Sequence, residues 1–390
     1  MKIIGYLSFN LVGVLALTCP VVAQTLPSNL PIVAPESVGM DSLRLLVVDE
    51  IVAEGLQRDK MPGCVVMIGH RNSIVLYKAY GQRQLLPEPE PMVKDTVFDM
   101  ASLTKPIATA TSIMLLVEDG KIDLSKTVAT YVPEFAANGK EGITVQQLLV
   151  HSGGLIPDNS IRDYADGPAE AFRRIHELEP YVEPGTKFVY TDVGFIVLAE
   201  IIERVSGQTV HEFSQQRIFK PLGMAETGYL PDDELKKRCA PTEQRDEAWI
   251  QGEVHDPRAY ALGGIAGHAG LFSTASDLAR YCQMLIGKGT LQQTRIMAPA
   301  TVAKMTAAVD VSSGIRTLGW DMKSPYSSNR GDFFSRSAFG HGGFTGTSMW
   351  IDPEKDLFVI FLSNRVHPSG KGAVNSIAGR IGTVAGAAIK

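Results

Sequence analysis

The chain has 390 residues, 45% of them hydrophobic and 20% charged, with a formal net charge of −5. Such a composition builds a water-soluble globular protein with a substantial core and excludes a disordered or collagen-like chain. The 37 basic residues are scattered rather than gathered in tracts, so nothing drives association with phosphate backbones and no nucleic-acid partner is expected.

Residues 1–23 read as a signal peptide. Lys2 precedes the apolar run through Leu11, Val12, Val14, Leu15, Ala16 and Leu17, and Val21 and Ala23 stand at positions −3 and −1 of a cleavage site after Ala23. Asn10, Thr18 and Pro20 interrupt the run and leave it short for a membrane span. From Gln24 on there is no apolar run of spanning length, so a soluble, periplasmic or secreted mature protein is expected. Cys19 leaves with the leader. Cys64, Cys239 and Cys282 remain and allow at most one internal bridge. Their spacing suits neither a zinc nor a redox site.

Residues 24–36, with three prolines, predict an extended lead-in. Asp41 caps a helix to about Leu56 with Leu43, Val47, Ile51 and Leu56 on one face. Gly63 to Ile68 and Ile74 to Tyr80 form a hairpin. Helical patterns then dominate: about 103–119, 144–150, 168–178, 192–206, 209–219, 276–287 and 299–307. Thr347 to Ile351 and Leu357 to Ser363 make a second hairpin, and a small-residue helix from about Val374 to Lys390 closes the chain. Strands at both ends with helices between predict an α+β (α/β) architecture, in which one antiparallel sheet is assembled from the two chain ends around an inserted, mostly helical region. A cleft is expected at their junction. The expected division is a single catalytic domain over 24–390, its α/β part about 37–105 and 310–390 and its helical part about 106–309.

The chain has no phosphate loop of the Gly-x-x-x-x-Gly-Lys-Ser/Thr kind, and His211-Glu212 lacks the second histidine of a zinc-peptidase helix. Ser152 lacks the leading glycine of a nucleophile elbow. What remains is Ser102-Leu103-Thr104-Lys105 at the start of a helix, where the three-residue spacing puts an amine beside a hydroxyl. A serine needs a neighbour to take its proton, and a lysine can do so only if its pKa is pulled down. The motif alone is equally a helix-capping serine with a solvated lysine. Tyr190-Thr191-Asp192 stands at a loop-to-helix corner after Pro184-Gly185. Tyr164-Ala165-Asp166 has the same pattern without that approach. His341-Gly342-Gly343-Phe344 precedes the last hairpin, where glycines let a strand backbone lie close to a ligand. His255, Asp256 and His268 flank a glycine-rich loop. Their irregular spacing points to loop hydrogen bonding or a substrate-facing loop rather than to a metal site.

Taken in order, Ser102-x-x-Lys105, Tyr190-x-Asp192 and His341-Gly342-Gly343 resemble the serine hydrolase family of class C β-lactamases, penicillin-binding D-alanyl-D-alanine peptidases and related family VIII-type esterases. The resemblance spans nearly the whole mature chain and includes Pro62-Gly63, Leu148-Leu149 with His151, and Gly270 to Thr274 with Asp277-Leu278. It implies the β-lactamase/penicillin-binding-protein-like fold and an acyl-enzyme chemistry without cofactor or metal. Ser102 would be the nucleophile, Lys105 its proton partner and Tyr190 the proton relay. The main-chain N–H groups of Ser102 and Phe344 would form the oxyanion hole, and Asp192, His341, Gly342 and Gly343 would meet a small-molecule or peptide substrate.

Three departures qualify this. Asp192 replaces the usual asparagine and would favour a protonated Lys105 if the two are adjacent, shifting the burden to Tyr190. His341-Gly342 replaces Lys-Thr, so carboxylate recognition is expected to be weak and pH-dependent. His151-Ser152-Gly153-Gly154-Leu155 departs from His-Thr-Ser-Gly-Leu. The expectation is therefore a serine acyl hydrolase of small esters or amides. The alternatives are a class C-type β-lactamase, a D-alanyl-D-alanine carboxypeptidase, or a penicillin-binding sensor that is acylated without turnover. The sequence leaves the oligomeric state open.

Overall fold

A computed structural model describes Met1 and residues 29–390. The expected leader, its cleavage site and Cys19 lie outside the described residues. Among the described residues no helix is long and apolar enough to cross a membrane.

The central sheet runs through nine strands: β1 Gly63–His70, β2 Ser73–Gln84, β3 Glu90–Pro91, β4 Val309–Val311, β5 Gly314–Arg316, β6 Asp321–Lys323, β7 Phe339–Gly342, β8 Ser348–Asp352 and β9 Leu357–Ser363. Their spatial order is β4-β5-β6-β7-β8-β9-β1-β2-β3, and every described pairing in it is antiparallel. The join between the two ends of the chain is β1 against β9, in register from Cys64 with Ser363 to His70 with Leu357. Arg71 and Asn72, both at positive φ, make the two-residue turn of the first hairpin, the conformation whose twist suits a tight β-hairpin.

Strand alternation explains why these central strands read as unbroken apolar runs. Val65 and Met67 of β1 and Phe358, Ile360 and Leu362 of β9 face one core, whereas Cys64, Val66, Ile68, Val359 and Phe361 face another. Period-two alternation sends successive side chains to opposite faces, and both faces are covered. Helices α1 Val47–Gln57 and α5 Asn375–Ala387 cover one face; α4 Ala275–Ile286 covers the other. The larger core also takes in α2 Thr111–Glu118 and α3 Asp192–Ser206 of the inserted region.

Two expectations need correction, and three short strands were not anticipated. Asp41 does cap a helix, accepting from Leu43 N and Arg44 N, but that turn breaks at Leu46 before α1. The break rotates the buried face to Leu45, Val48, Ile51 and Val52, leaving Leu43 75% and Val47 37% exposed. Strands β4 to β6 carried no sequence signal, being three residues each. The helix expected over 103–119 opens with a tight turn at Ala101–Leu103 and a wide π turn over Lys105–Ala110 before α2 begins.

Candidate active site

Ser102 follows a two-residue strand, Phe98–Asp99, which pairs with Leu271–Ser273 of the inserted region. Met100 N donates to Leu271 O at 2.8 Å. The chain then turns so sharply that Ala101 sits at φ 45°, a strained backbone for a residue with a Cβ. The buried Asp99 carboxylate holds the turn by accepting from Ala101 N at 2.7 Å.

Lys105 is completely buried, and its ammonium Nζ is the hub of the site. It donates to Ser102 Oγ at 3.1 Å and to His268 O at 3.2 Å, and lies 2.6 Å from Asp192 Oδ1. It also hydrogen-bonds Tyr190. Burial works to discharge the amine, but the Asp192 carboxylate and Tyr190 outweigh it and hold Lys105 well above the ordinary lysine range. The adjacency on which the argument from Asp192 turned is therefore present: Lys105 stands as an ammonium.

Tyr190 closes the site from the inserted region. Its ring stacks on His151 with centroids 4.4 Å apart and lies 4.9 Å from Tyr326 and 6.0 Å from His341. His151, left without a role by its sequence context, is the brace behind it: its Nδ1 accepts from Thr191 N at 3.2 Å and its carbonyl from Val189 N at 2.9 Å. Burial, and then Arg316 and Lys105, press the His151 pKa well below the usual range, so the ring is neutral. Thr191 caps α3, accepting from Gly194 N, and so fixes Tyr190 and Asp192 at the helix entrance.

The third motif comes from the opposite end of the chain. Strand β7 lies beside the Ser102 turn, tied to it by Thr345 Oγ1 to Asp99 O at 2.8 Å and Thr347 Oγ1 to Met100 O at 3.2 Å. A Cβ on Gly343 would meet Thr347 Oγ1 at 2.2 Å and Met100 O at 2.6 Å, and only glycine allows that approach. Phe344 lies in the turn closed by Gly346 N donating to Gly343 O, its ring 60% exposed and stacked on His255. His341 Nδ1 is 2.7 Å from Gly342 O. Burial and the neighbouring Arg316 and Lys105 hold its pKa well below the ordinary histidine range. Its imidazole is thus held toward the neutral form by burial beside two cations.

Ser102, Tyr190, His341, Gly342, Gly343 and Phe344 all line one cavity of about 480 Å³, whereas Asp192 faces a neighbouring one. Tyr164 is elsewhere, buried and donating to Asn159 Oδ1 at 2.7 Å. Asp192, Asp256 and His268 do converge, their ligand atoms within 4.8 Å of one another. Of the three, Asp192 pairs directly with Lys105. Asp256 accepts from Arg258 N and Ala259 N at the start of a short helix and pairs with His268 Nε2 at 2.9 Å. These hydrogen bonds hold the loop so that the His268 carbonyl is presented to Lys105. Cys64, Cys239 and Cys282 are buried free thiols.

A serine bonded to a buried ammonium and enclosed between an inserted tyrosine corner and strand β7 defines a serine hydrolase of the β-lactamase, esterase and peptidase type. The family model described as Beta-lactamase matches residues 48–382, and the chain belongs to that family. It is 30% identical to the N-acetylmuramyl-L-alanine amidase of Bacillus subtilis (strain 168), over 86% of this chain and 84% of that protein. A protein of Escherichia coli (strain K12), provisionally named a D-alanyl-D-alanine carboxypeptidase, is 29% identical over 91% of this chain and 90% of its own. The crystal structure of a class C β-lactamase from Rhodobacter sphaeroides superposes with a TM-score of 0.69 at 21% identity, covering 86% of this chain and 98% of that one.

Proposed function

We propose that the protein is an exported hydrolase that cleaves amide or ester bonds of small acyl or peptide substrates through an acyl-enzyme on Ser102. The observation that carries this reading is the Lys105 Nζ contact at 3.1 Å to Ser102, whose side chain lines the cavity shared with Tyr190 and β7. Ser102 Oγ attacks the carbonyl carbon while its proton passes to the Tyr190 oxygen and the phenol proton passes to the leaving group. Lys105 stays an ammonium and stabilises the negative charge that develops on both oxygens. The N–H groups of Ser102 and Phe344 receive the carbonyl oxygen, a pair of donors worth about 3 kcal/mol each in such sites. Water then repeats the sequence in reverse to free the acid. The two relatives at 29–30% identity support peptides of the bacterial cell wall as the substrate class. The leader pattern over residues 1–23 supports export.

Purified protein should release product continuously from a short-chain aryl ester or a wall-derived peptide, and Ser102→Ala should abolish it. Equal turnover by Ser102→Ala overturns the assignment. A single equivalent of product followed by no steady state would make the protein an acyl-accepting sensor instead.

A further inference from the structure

The buried carboxylate that holds the nucleophile turn reaches further than that turn. Asp99 is 3% exposed, and both its side-chain oxygens are used: Oδ1 accepts from Ala101 N at 2.7 Å and Oδ2 from His255 N at 2.8 Å. Its main-chain carbonyl accepts from Thr345 Oγ1 at 2.8 Å. Burial raises the Asp99 pKa, and the two N–H donors oppose that rise by favouring the charged form. A carboxylate out of water is costly unless such bonds are made.

All three bonds bear on the two N–H groups assigned to the oxyanion. Ala101 immediately precedes Ser102, and its φ of 45° is a backbone state that persists only when the surroundings over-determine it. Thr345 immediately follows Phe344 and is buried. His255 stacks its ring on that of Phe344, centroids 5.6 Å apart and 22° from parallel, and its Nε2 lies 2.6 Å from Glu243 Oε2. The Phe344 side chain is largely exposed, with little burial to fix it, so its place depends on the neighbours that Asp99 holds. Donors of this kind accelerate acyl transfer only when they aim at the position the oxygen takes in the transition state, and a shift of about 1 Å can cost about a hundredfold in rate.

We propose that Asp99 is the positioning residue of the oxyanion hole. It sets the Ser102 and Phe344 N–H groups relative to each other by bonding the residue before the one, the residue after the other, and the residue stacked on the Phe344 ring. The proposal rests on Ser102 as the nucleophile.

The pair 4-nitrophenyl acetate and O-(4-nitrophenyl) thionoacetate tests it, because the two differ only in the carbonyl atom. Sulfur is the larger atom and the weaker acceptor, so it gains less from a fitted pair of N–H groups. Wild type should favour the oxygen ester in kcat/KM by about tenfold or more beyond the preference that hydroxide shows in solution. Asp99→Asn keeps one acceptor oxygen and turns an NH₂ group on the other N–H. It should cut kcat/KM on the oxygen ester by about tenfold and on the thiono ester by much less, and Asp99→Ala should bring the ratio close to that of hydroxide. A role in folding alone would lower both esters equally. Equal losses, an unchanged ratio, or a wild type without the preference overturns the proposal. If neither variant folds, Thr345→Val decides, since it keeps the side-chain shape and removes the bond to Asp99 O. The ratio should fall severalfold, and an unchanged ratio overturns the proposal. Labelling of Ser102 by a fluorophosphonate separates the two levels of inference. Absence of label on wild type removes the proposed function, whereas label with an unchanged ratio removes only the role of Asp99.

Discussion

Asp192 carries the largest consequence of any single residue in the site. It sits where the resemblance leads one to expect asparagine, and its carboxylate 2.6 Å from Lys105 keeps that amine charged. In the proposed mechanism the proton travels through Tyr190 and the ammonium is the working form, so Asp192→Asn should weaken it. The loss of the anion lowers the Lys105 pKa, so kcat/KM should fall about tenfold at pH 7 and decline further toward pH 10, where wild type holds its rate. A pH–rate profile of both proteins on a neutral ester checks this. A gain at neutral pH would show that the free amine is the base. Asp277 gives a second residue-level expectation. Burial raises its pKa to about 6 even though Thr227 and Glu226 N donate to it. A carboxyl whose folded pKa exceeds its unfolded value stabilises the fold while protonated, and that stability is lost as pH rises from about 4 through 6. Asp277→Asn should therefore stabilise the protein at pH 8 by roughly 2–3 kcal/mol relative to its effect at pH 4, measured as the difference between the two shifts in Tm.

Among the elements, β7 is the one whose placement decides activity, and Gly343 sets its distance from the nucleophile turn. Gly343→Ala would press a methyl group against Thr347 Oγ1 and Met100 O and push the strand off the Ser102 turn. Acylation of Ser102 by a fluorophosphonate should slow by about a hundredfold, the scale of losing an oxyanion donor, while Tm falls by only a few degrees. An unchanged acylation rate would show that β7 does not complete the site. The same element shows what the sequence could and could not disclose. The glycines of 340–343, the Ser102 to Lys105 spacing and the corner at Tyr190 were readable because chemistry restricts which residue types can stand there. The strands β4 to β6 were not, since three residues are too few to carry a periodicity. Arg316 was missed with them: an arginine on an unrecognised strand looks like any surface charge. His151 was visible, yet its task behind Tyr190 depends on a stacking contact that no local pattern encodes.

At the scale of the molecule, sheet edge, insert and C-terminal segment are fastened together by His367. Its Nδ1 bonds Thr242 O at 2.9 Å, while its Nε2 accepts from Leu85 N at 3.0 Å and Leu86 N at 3.3 Å. Only the neutral ring with its proton on Nδ1 can do both. Burial accordingly lowers the His367 pKa from the ordinary 6.5, and burial lowers those of His70, His151, His211 and His341 as well. A histidine whose folded pKa is depressed binds more protons when unfolded. Its contribution is complete above about pH 6.5 and is lost as pH falls below that value. Wild type should thus lose Tm steadily from pH 7 to pH 5, partly offset by the opposite titration of Asp277. His367→Gln should be less stable at pH 8 by roughly 1–2 kcal/mol, because the part-buried amides of Leu85 and Leu86 lose a well-placed acceptor. It should also lose less Tm than wild type between pH 7 and pH 5, because one of the groups that charges on unfolding is gone. Melting curves of both proteins across that range measure the two slopes. Parallel slopes would place the acid sensitivity in the other four rings and leave His367 as a mere tether.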